Sequence, residues 1–413
     1  MTATSEDYRW LFSPEGARYL AQPDADPADP LKVLDALRRE LTPQRAALVV
    51  EQLQLRHRAA RKFADAPRMF FTRRGLEQAS GEVVALHKAT RFTDATRVLD
   101  LCCGIGGDLL ALAMPVQPGP DAREVVGIDC DPIAALCAAA NLEAGGRSAR
   151  VEVGDAADVD VTACEAWHID PDRRAAGRRT TGLVHFHPPL AALDRGIQRN
   201  GQAAVKLAPA TVPPAHWCAA AELEWISWQN ECRQQVAWFG TLATSAGEDC
   251  RGRRRATWLS REGDRCRSIV GQADLPLEVA SQPARYVFDL DPSVRAARLT
   301  GAVAAKFQLA ALGPGGAYLT GAQPGGEGLL SCFQVSEVLP FDRRRLARLL
   351  AARQIGHLEI KKRGIPAEVA TEAARLRPAG SHQATLLLTR LAGRVTAILA
   401  QRIREGSPPS GGG

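Results

Sequence analysis

The chain has no run of eighteen consecutive apolar residues, which excludes an ordinary membrane-spanning helix. It has no Cys-x-x-Cys pair among its 10 cysteines, and its 8 histidines are scattered, so no metal site and no disulfide framework are expected. Cys102, Cys103, Cys130 and Cys137 fall in apolar segments, where cysteine packs as a small hydrophobe. Lysine is scarce: of 52 basic residues 7 are Lys and 45 are Arg. Heavy use of Arg beside Ala and Gly is also what a GC-rich genome produces. The formal net charge of +6 therefore permits a nucleic-acid partner without requiring one. The first seven residues, Met1 to Asp7, are acidic and lack an apolar core, so no secretory signal is read there and a cytoplasmic location is expected. No internal repeat is present.

What remains is an ordinary globular composition, 46% hydrophobic and 24% charged, spread over 413 residues, too many for one comfortable core. Residues 1–92 read as an N-terminal helical region. Asp29-Pro30 opens one helix, Thr42-Pro43 opens another running to Phe63, and Gly75 to Thr90 carries a third on one apolar face. From Arg97 the rhythm changes. Short apolar runs at Val98–Leu101, Val125–Ile128, Val151–Val153, Trp167–Ile169 and Ala203–Leu207 alternate with helical patterns, which specifies a parallel sheet covered by helices on both faces. Glu222–Gln229 and Gln235–Trp238 suggest a hairpin that closes this domain, residues 93–245. Trp167, Trp225, Trp228 and Trp238 are expected in the core. Residues 246–284 are basic and turn-rich and read as an exposed connector held out by charge repulsion. Residues 285–405 form a second, smaller α+β pattern, with a long helix from Asp291-Pro292 to Leu312, and 406–413 are a disordered Gly/Ser/Pro tail.

The centre of the chain is Arg97-Val98-Leu99-Asp100-Leu101-Cys102-Cys103-Gly104-Ile105-Gly106-Gly107-Asp108, an apolar strand passing through a glycine-rich turn into a helix. A lone loop of this kind fits any strand–turn–helix connection. Here, however, four successive strands end in acid: Asp100, Asp129, Asp155 and Asp170. In a doubly wound sheet these tips face one crevice, where ligands bind. A carboxylate at 129 can accept both hydroxyl protons of a ribose, and one at 155 can face the exocyclic amine of adenine. A dinucleotide fingerprint would need Gly where Leu109 stands, and Asp108 would repel a diphosphate at the helix start. No Gly-Lys-Ser/Thr follows, so a P-loop is excluded. S-adenosylmethionine (SAM) has ribose and adenine without phosphate, and its cationic methionine half suits acidic surroundings, with Asp100 near the methionine end.

As an ordered set, Asp100-x-x-x-Gly104-x-Gly106, Asp129, Asp155 and Asp170-Pro171 resembles the motifs of class I SAM-dependent methyltransferases over roughly residues 95–240. The loop Leu99 to Gly107 is also similar to that of the cap trimethylguanosine synthase group. A bacterial group joining such a domain to a C-terminal THUMP-like domain is closer still. Its members carry residues like Leu76-Glu77-Gln78-Ala79-Ser80 ahead of the loop, and a signature like Asp170-Pro171-Asp172-Arg173-Arg174. Asp289 to Pro292, Tyr318 to Thr320 and Lys362 to Pro366 look like that group too.

The resemblance implies a Rossmann-like class I sheet with SAM as cofactor, held by Asp100, Gly104, Gly106, Gly107, Asp129 and Asp155. It implies methyl transfer, with RNA as partner and a base nitrogen as acceptor, because THUMP domains of other enzymes position RNA. Asp170 and Pro171 would be catalytic, orienting the acceptor. Amine methyltransferases of this class continue with a second Pro and an aromatic, replaced here by Asp172 and Arg173. A guanidinium can stack on a base or grip a phosphate, so Arg173 and Arg174 are candidate substrate contacts. The basic residues Arg173, Arg174, Arg178 and Arg179, and likewise Lys361-Lys362-Arg363, read either as solvated charge or as phosphate contacts. His187-Pro188-Pro189 is a second candidate anchor, set back by its distance along the chain from strand four. Two alternatives remain: a non-catalytic RNA-binding protein with a degenerate methyltransferase domain, and a methyltransferase for protein or small molecules.

Overall fold

The computed structural model describes residues 3–21, 30–115, 123–172, 174–175, 178–179, 182–245 and 247–403. The tail from 404 onward and Arg173 lie outside them. The chain divides into two compact units, Met1–Glu222 with Gln234–Gly252, and Leu223–Arg233 with Arg253–Gly413. Among the described residues no helix is long and apolar enough to cross a membrane.

In the first unit the expected alternation is present. Strands β1 (Arg97–Leu101), β2 (Glu124–Asp129), β3 (Arg150–Val153) and β4 (Ala166–Ile169) are parallel, in the order β3–β2–β1–β4. Ala203–Leu207 continues beside β4, and Glu231–Trp238 pairs antiparallel with it. The order reverses between β1 and β4, and at such a switch point the strand tips leave a crevice. Between β2 and β3 lies helix Pro132–Ala144, with Pro at its first turn and the Asp131 side chain accepting from the Ile133 and Ala134 amides.

The N-terminal helical region belongs to this unit. Trp10, Leu11, Leu48, Leu55 and Phe71 share one core with Ile105 of the glycine loop and Cys137 of helix Pro132–Ala144. Asn141 joins the same parts by hydrogen bonds. Its Oδ1 accepts from the Phe70 amide (2.7 Å), and its Nδ2 donates to the carbonyls of Phe70 (3.0 Å) and Ile105 (2.9 Å).

The third helix expected over Gly75 to Thr90 is instead two, Arg73–Gln78 and Glu82–Ala89. Ala79 between them is extended, and the Lys62 ammonium gathers the Leu76 and Ala79 carbonyls at 2.7 and 3.2 Å. A cation on the last carbonyls of a short helix ends it as a C-cap would. The apolar period runs through the break, which is why the sequence reads as continuous.

In the second unit, Glu222–Trp228 leads through Gln229 and Asn230, both left-handed, into Glu231. The connector expected at 246–284 contains a strand pair: Arg254–Leu259 runs parallel to Glu222–Trp228 and pairs antiparallel with Cys266–Gly271. Ala256, Thr257 and Leu259 are buried, so sheet pairing there outweighs the charge repulsion inferred from the arginines. A seven-stranded sheet follows, in the order Ala310–Leu312, Tyr318–Gly321, Tyr286–Leu290, Leu330–Pro340, Arg394–Ile403, His382–Leu391, Ile355–Lys362.

The long helix expected from 291 to 312 is broken twice. Pro292–Ala296 stops at Arg298 (φ 58°), where the Leu299 amide reaches back to the Val294 carbonyl, and Thr300–Phe307 stops at Gln308 (φ 54°), where Leu309 reaches back to Ala304. Both are Schellman-type ends built without glycine, so no breaker marks them in the sequence. Ala310–Leu312 is then a strand, and helix Ala367–Ala374 is an element the sequence reading missed. Lys361 and Arg363 of the basic run turn inward to Asp289, at 2.8 and 3.3 Å. Trp167, Trp225, Trp228 and Trp238 are buried as expected, whereas Cys130 is exposed.

Asn141→Ala would strand three buried backbone groups, each costing on the order of 1–3 kcal/mol. Chemical denaturation of the variant should show a loss of about 3 kcal/mol or more. A loss below about 1 kcal/mol would mean that Asn141 does not join these parts.

Candidate active site at the strand tips

The loop after β1 turns sharply because three of its residues are left-handed: Cys102 (φ 55°), Gly104 (φ 56°) and Gly106 (φ 87°). At Gly104, space for a Cβ is open, with nothing among the described residues within 4 Å, so the bare backbone lines a cradle. Asp129, at the tip of β2, fastens this loop. Its Oδ2 accepts from the Gly104 amide (2.7 Å) and its Oδ1 from the Asp131 amide (2.9 Å). Burial raises the Asp129 carboxyl above its ordinary pKa, outweighing these two amides, which act in the opposite direction. Gly107 does not open to the cradle, because a Cβ there would meet Ala79 and Ser80 at 3.1 Å.

Asp155 follows β3, with Oδ1 accepting from the Ala157 amide (2.9 Å) and Oδ2 lying 3.6 Å from His187 Nε2. Asp170, beyond β4, donates its amide to the Leu101 carbonyl at the end of β1 and binds Lys206 Nζ through Oδ2 at 2.5 Å. His187, set back on sequence distance, comes home to this place. Asp172 and His187 exchange both backbone hydrogen bonds, at 3.0 and 2.9 Å. Of Arg174 only the backbone, a two-residue strand with Ala175, is described.

Beneath the loop lies a layer of charge that the sequence reading did not anticipate. Asp100 and His168 are neighbours in the β1–β4 register, and His168 Nδ1 lies 2.7 Å from Asp100 Oδ1. His168 Nε2 is 3.2 Å from Lys88 Nζ, which pairs with Asp108 Oδ1 at 2.6 Å. Asp108 Oδ2 accepts from Ser80 Oγ (2.8 Å) and lies 4.0 Å from Lys206 Nζ. Lys88 is 2% exposed and Asp100 1%. Asp108, read from the sequence as a charge that would repel a diphosphate, is instead paired with this buried lysine. Burial alone would raise its pKa, yet Lys88, His168 and Lys206 together hold it below the ordinary carboxylate value.

If Lys88 donates to Nε2, the imidazole keeps its proton on Nδ1 for Asp100. Three acidic side chains (Asp100, Asp108, Asp170) thus lie in one layer with Lys88, Lys206 and His168. Asp100 Oδ2 is buried with no hydrogen-bond partner among the described residues. An acceptor oxygen without a donor and an open glycine cradle fit a ligand carrying positive charge and no phosphate. Among the described residues no group of three or more His, Cys, Asp or Glu is placed to hold a metal ion. Lys88 and His168 were missed in the sequence, which also assigned no role to Lys206. The available signal was rarity, since two of only 7 lysines sit inside apolar runs, Val83 to Lys88 and Ala203 to Leu207.

A parallel sheet with acid at its tips, a glycine cradle and a buried carboxylate oxygen without a donor point to a Rossmann-like, SAM-using class of protein. Comparison with known proteins agrees. Two Mycobacterium tuberculosis proteins from different strains, described as S-adenosylmethionine-dependent methyltransferases, are each 33% identical over 368 residues, covering 86% of this chain and 96% of theirs. A crystal structure of a Porphyromonas gingivalis protein assigned as a methyltransferase shares the fold with a TM-score of 0.75 at 19% identity, covering 98% of this chain and 100% of that one. Residues 330–402 match the THUMP domain-like family, and residues 4–59 match a domain of unknown function (DUF8688). The chain belongs to the S-adenosylmethionine-dependent methyltransferases, with SAM as its cofactor and a THUMP-like domain at its C-terminal end.

Removing one partner of a buried ion pair leaves the other charged and unsolvated, at a cost of about 3–5 kcal/mol. Lys88→Met should therefore lose about that much in urea unfolding, and Lys88→Met/Asp108→Leu should lose less than the single variant. Equal losses would show that Asp108 is compensated elsewhere.

Proposed function

We propose that the enzyme methylates RNA, with a base nitrogen as acceptor. The observation that carries this reading is the THUMP domain-like match at 330–402 in a SAM-dependent methyltransferase. The net charge of +6 is in keeping with it.

In this reading Asp129 accepts from the ribose hydroxyls, with the Gly104 and Asp131 amides holding its carboxylate in place. Asp155 faces the adenine amine. Gly104 and Gly106 lie along the methionine half, and Asp100 supplies negative charge to it from beneath, with Gly107 setting the start of the helix. The cofactor supplies a methyl group already activated by its sulfonium, so the protein's task is mainly to position the acceptor. Asp170 does this through Oδ1, the oxygen not engaged by Lys206. It accepts an N–H of the acceptor and aims the nitrogen lone pair along the line of transfer. Pro171 limits the backbone freedom of the same turn. Arg173 and Arg174 contact RNA phosphates.

Two outcomes follow. Nucleoside mass spectrometry of RNA from cells with and without the protein should reveal one methylated base that depends on it. Asp170→Ala should lower kcat for that product by about 100-fold, the scale of a misplaced reactant, with little change in SAM affinity. Identical nucleoside profiles would sink the RNA reading. Because the Asp129 pKa is raised, its carboxyl protonates above the ordinary range near pH 4, and one of its two oxygens then carries a proton instead of accepting from ribose. Calorimetric SAM affinity should therefore be full at neutral pH and fall as the pH drops toward that range. Asp129→Asn should bind more weakly at neutral pH and lose this pH dependence. A parent whose affinity is flat with pH would contradict the ribose assignment.

A further inference from the structure

The segment Leu76 to Ser80 stands out in the sequence, yet no function described so far uses helix Arg73–Gln78 that leads into it. Arg74 and Gln78 are one turn apart and share a face of that helix. Gln78 Nε2 donates to Asp172 Oδ1 (3.0 Å) and Arg74 Nη2 to Asp172 Oδ2 (2.5 Å), so one helix turn takes both oxygens of that carboxylate. Arg74 Nε also donates to Gln78 Oε1 (3.2 Å), which sets the amide's orientation. The Gln78 carbonyl oxygen accepts from Lys206 Nζ (3.4 Å), whose shorter contact is with Asp170. One residue, Gln78, thus bonds toward both ends of Asp170-Pro171-Asp172.

The helix itself is firmly placed. Thr72 caps its start, Lys62 holds its last carbonyls, and Gly75 lies so close to Ile105 of the glycine loop that a Cβ would overlap it. Asp172 has no ring to fix its φ, so the restraint on its end of the turn comes from outside, from this helix and from the two bonds with His187.

We propose that Arg74 and Gln78 are positioning residues for methyl transfer: they hold Asp172, and through it keep the Asp170 carboxylate where it meets the acceptor. The proposal rests on the reading of Asp170 as the residue that orients the acceptor. It makes the N-terminal helical region a working part of the active site rather than a preface to it. The Arg74–Asp172 pair is half exposed, with side chains 53% and 32% accessible, so it contributes little to global stability, and variants of it should fold.

The test uses the full chain with labelled SAM and a whole extract of cells lacking the protein, so that no acceptor class is assumed. Arg74→Ala, Gln78→Ala and Asp172→Ala should each lower kcat by about 10-fold while SAM affinity, read by calorimetry, stays within about twofold. Arg74→Ala/Asp172→Ala should be no worse than the poorer single variant, because the partners act as a unit. Amide exchange at Asp172 should quicken in the Arg74 and Gln78 variants. Unchanged kcat, losses that add in the double variant, or a joint fall of SAM affinity and Tm that accounts for the lost rate would each overturn the proposal. Labelled product that survives ribonuclease defeats only the RNA assignment. A parent that binds SAM and labels nothing defeats the assignment of Asp170 and this proposal together.

Discussion

A buried carboxylate next to a buried ammonium is the constraint on which the rest of this site depends. Lys88 meets Asp108 at 2.6 Å, out of reach of water, and neither could stay charged there alone. Their pairing draws Asp108 away from the start of the helix that follows the glycine loop. The same lysine lies 3.2 Å from His168 Nε2, and His168 Nδ1 lies 2.7 Å from Asp100. Lys206 continues the layer to Asp170 at the tip of β4. One set of charges therefore lies under the glycine loop and reaches the turn that carries Asp170.

The turn beyond β4 departs from the pattern of amine methyltransferases, and the structure supplies a physical counterpart for part of what is missing. Where a second proline ring would restrict the chain, Asp172 is gripped at both oxygens by Arg74 and Gln78 and paired along its backbone with His187. An aromatic platform has no such counterpart among the described residues of this turn. The N-terminal helices bear on the site in two ways: they share a core with the glycine loop through Ile105, and they deliver the residues that meet the turn.

Much of the first unit is legible without coordinates because its signals are local. Proline after Asp131, apolar runs of four to six residues and glycines at left-handed positions each act within a few residues. The errors share a cause. The break at Ala79, the stops at Arg298 and Gln308 and the strands within 246–284 are set by distant partners or by left-handed residues that are not glycine. None of these leaves a mark in composition or periodicity. The THUMP-like unit was recognised through motifs, yet its strand order owes more to pairing between segments far apart in the chain.

From the chain alone came the class of fold, the cofactor and the row of acidic strand tips, through periodicity, turn chemistry and residue type at fixed spacing, and the family, through the resemblance of its motifs. Only the folded molecule decided that Asp170 meets a lysine while Asp129 fastens the glycine loop, and that His187, 17 residues beyond Asp170, lies beside the turn after β4. The reason is range. Backbone preferences act over a few residues, whereas the charge of a carboxylate is settled by whatever cation packing brings within 3 Å, however far away it lies in sequence.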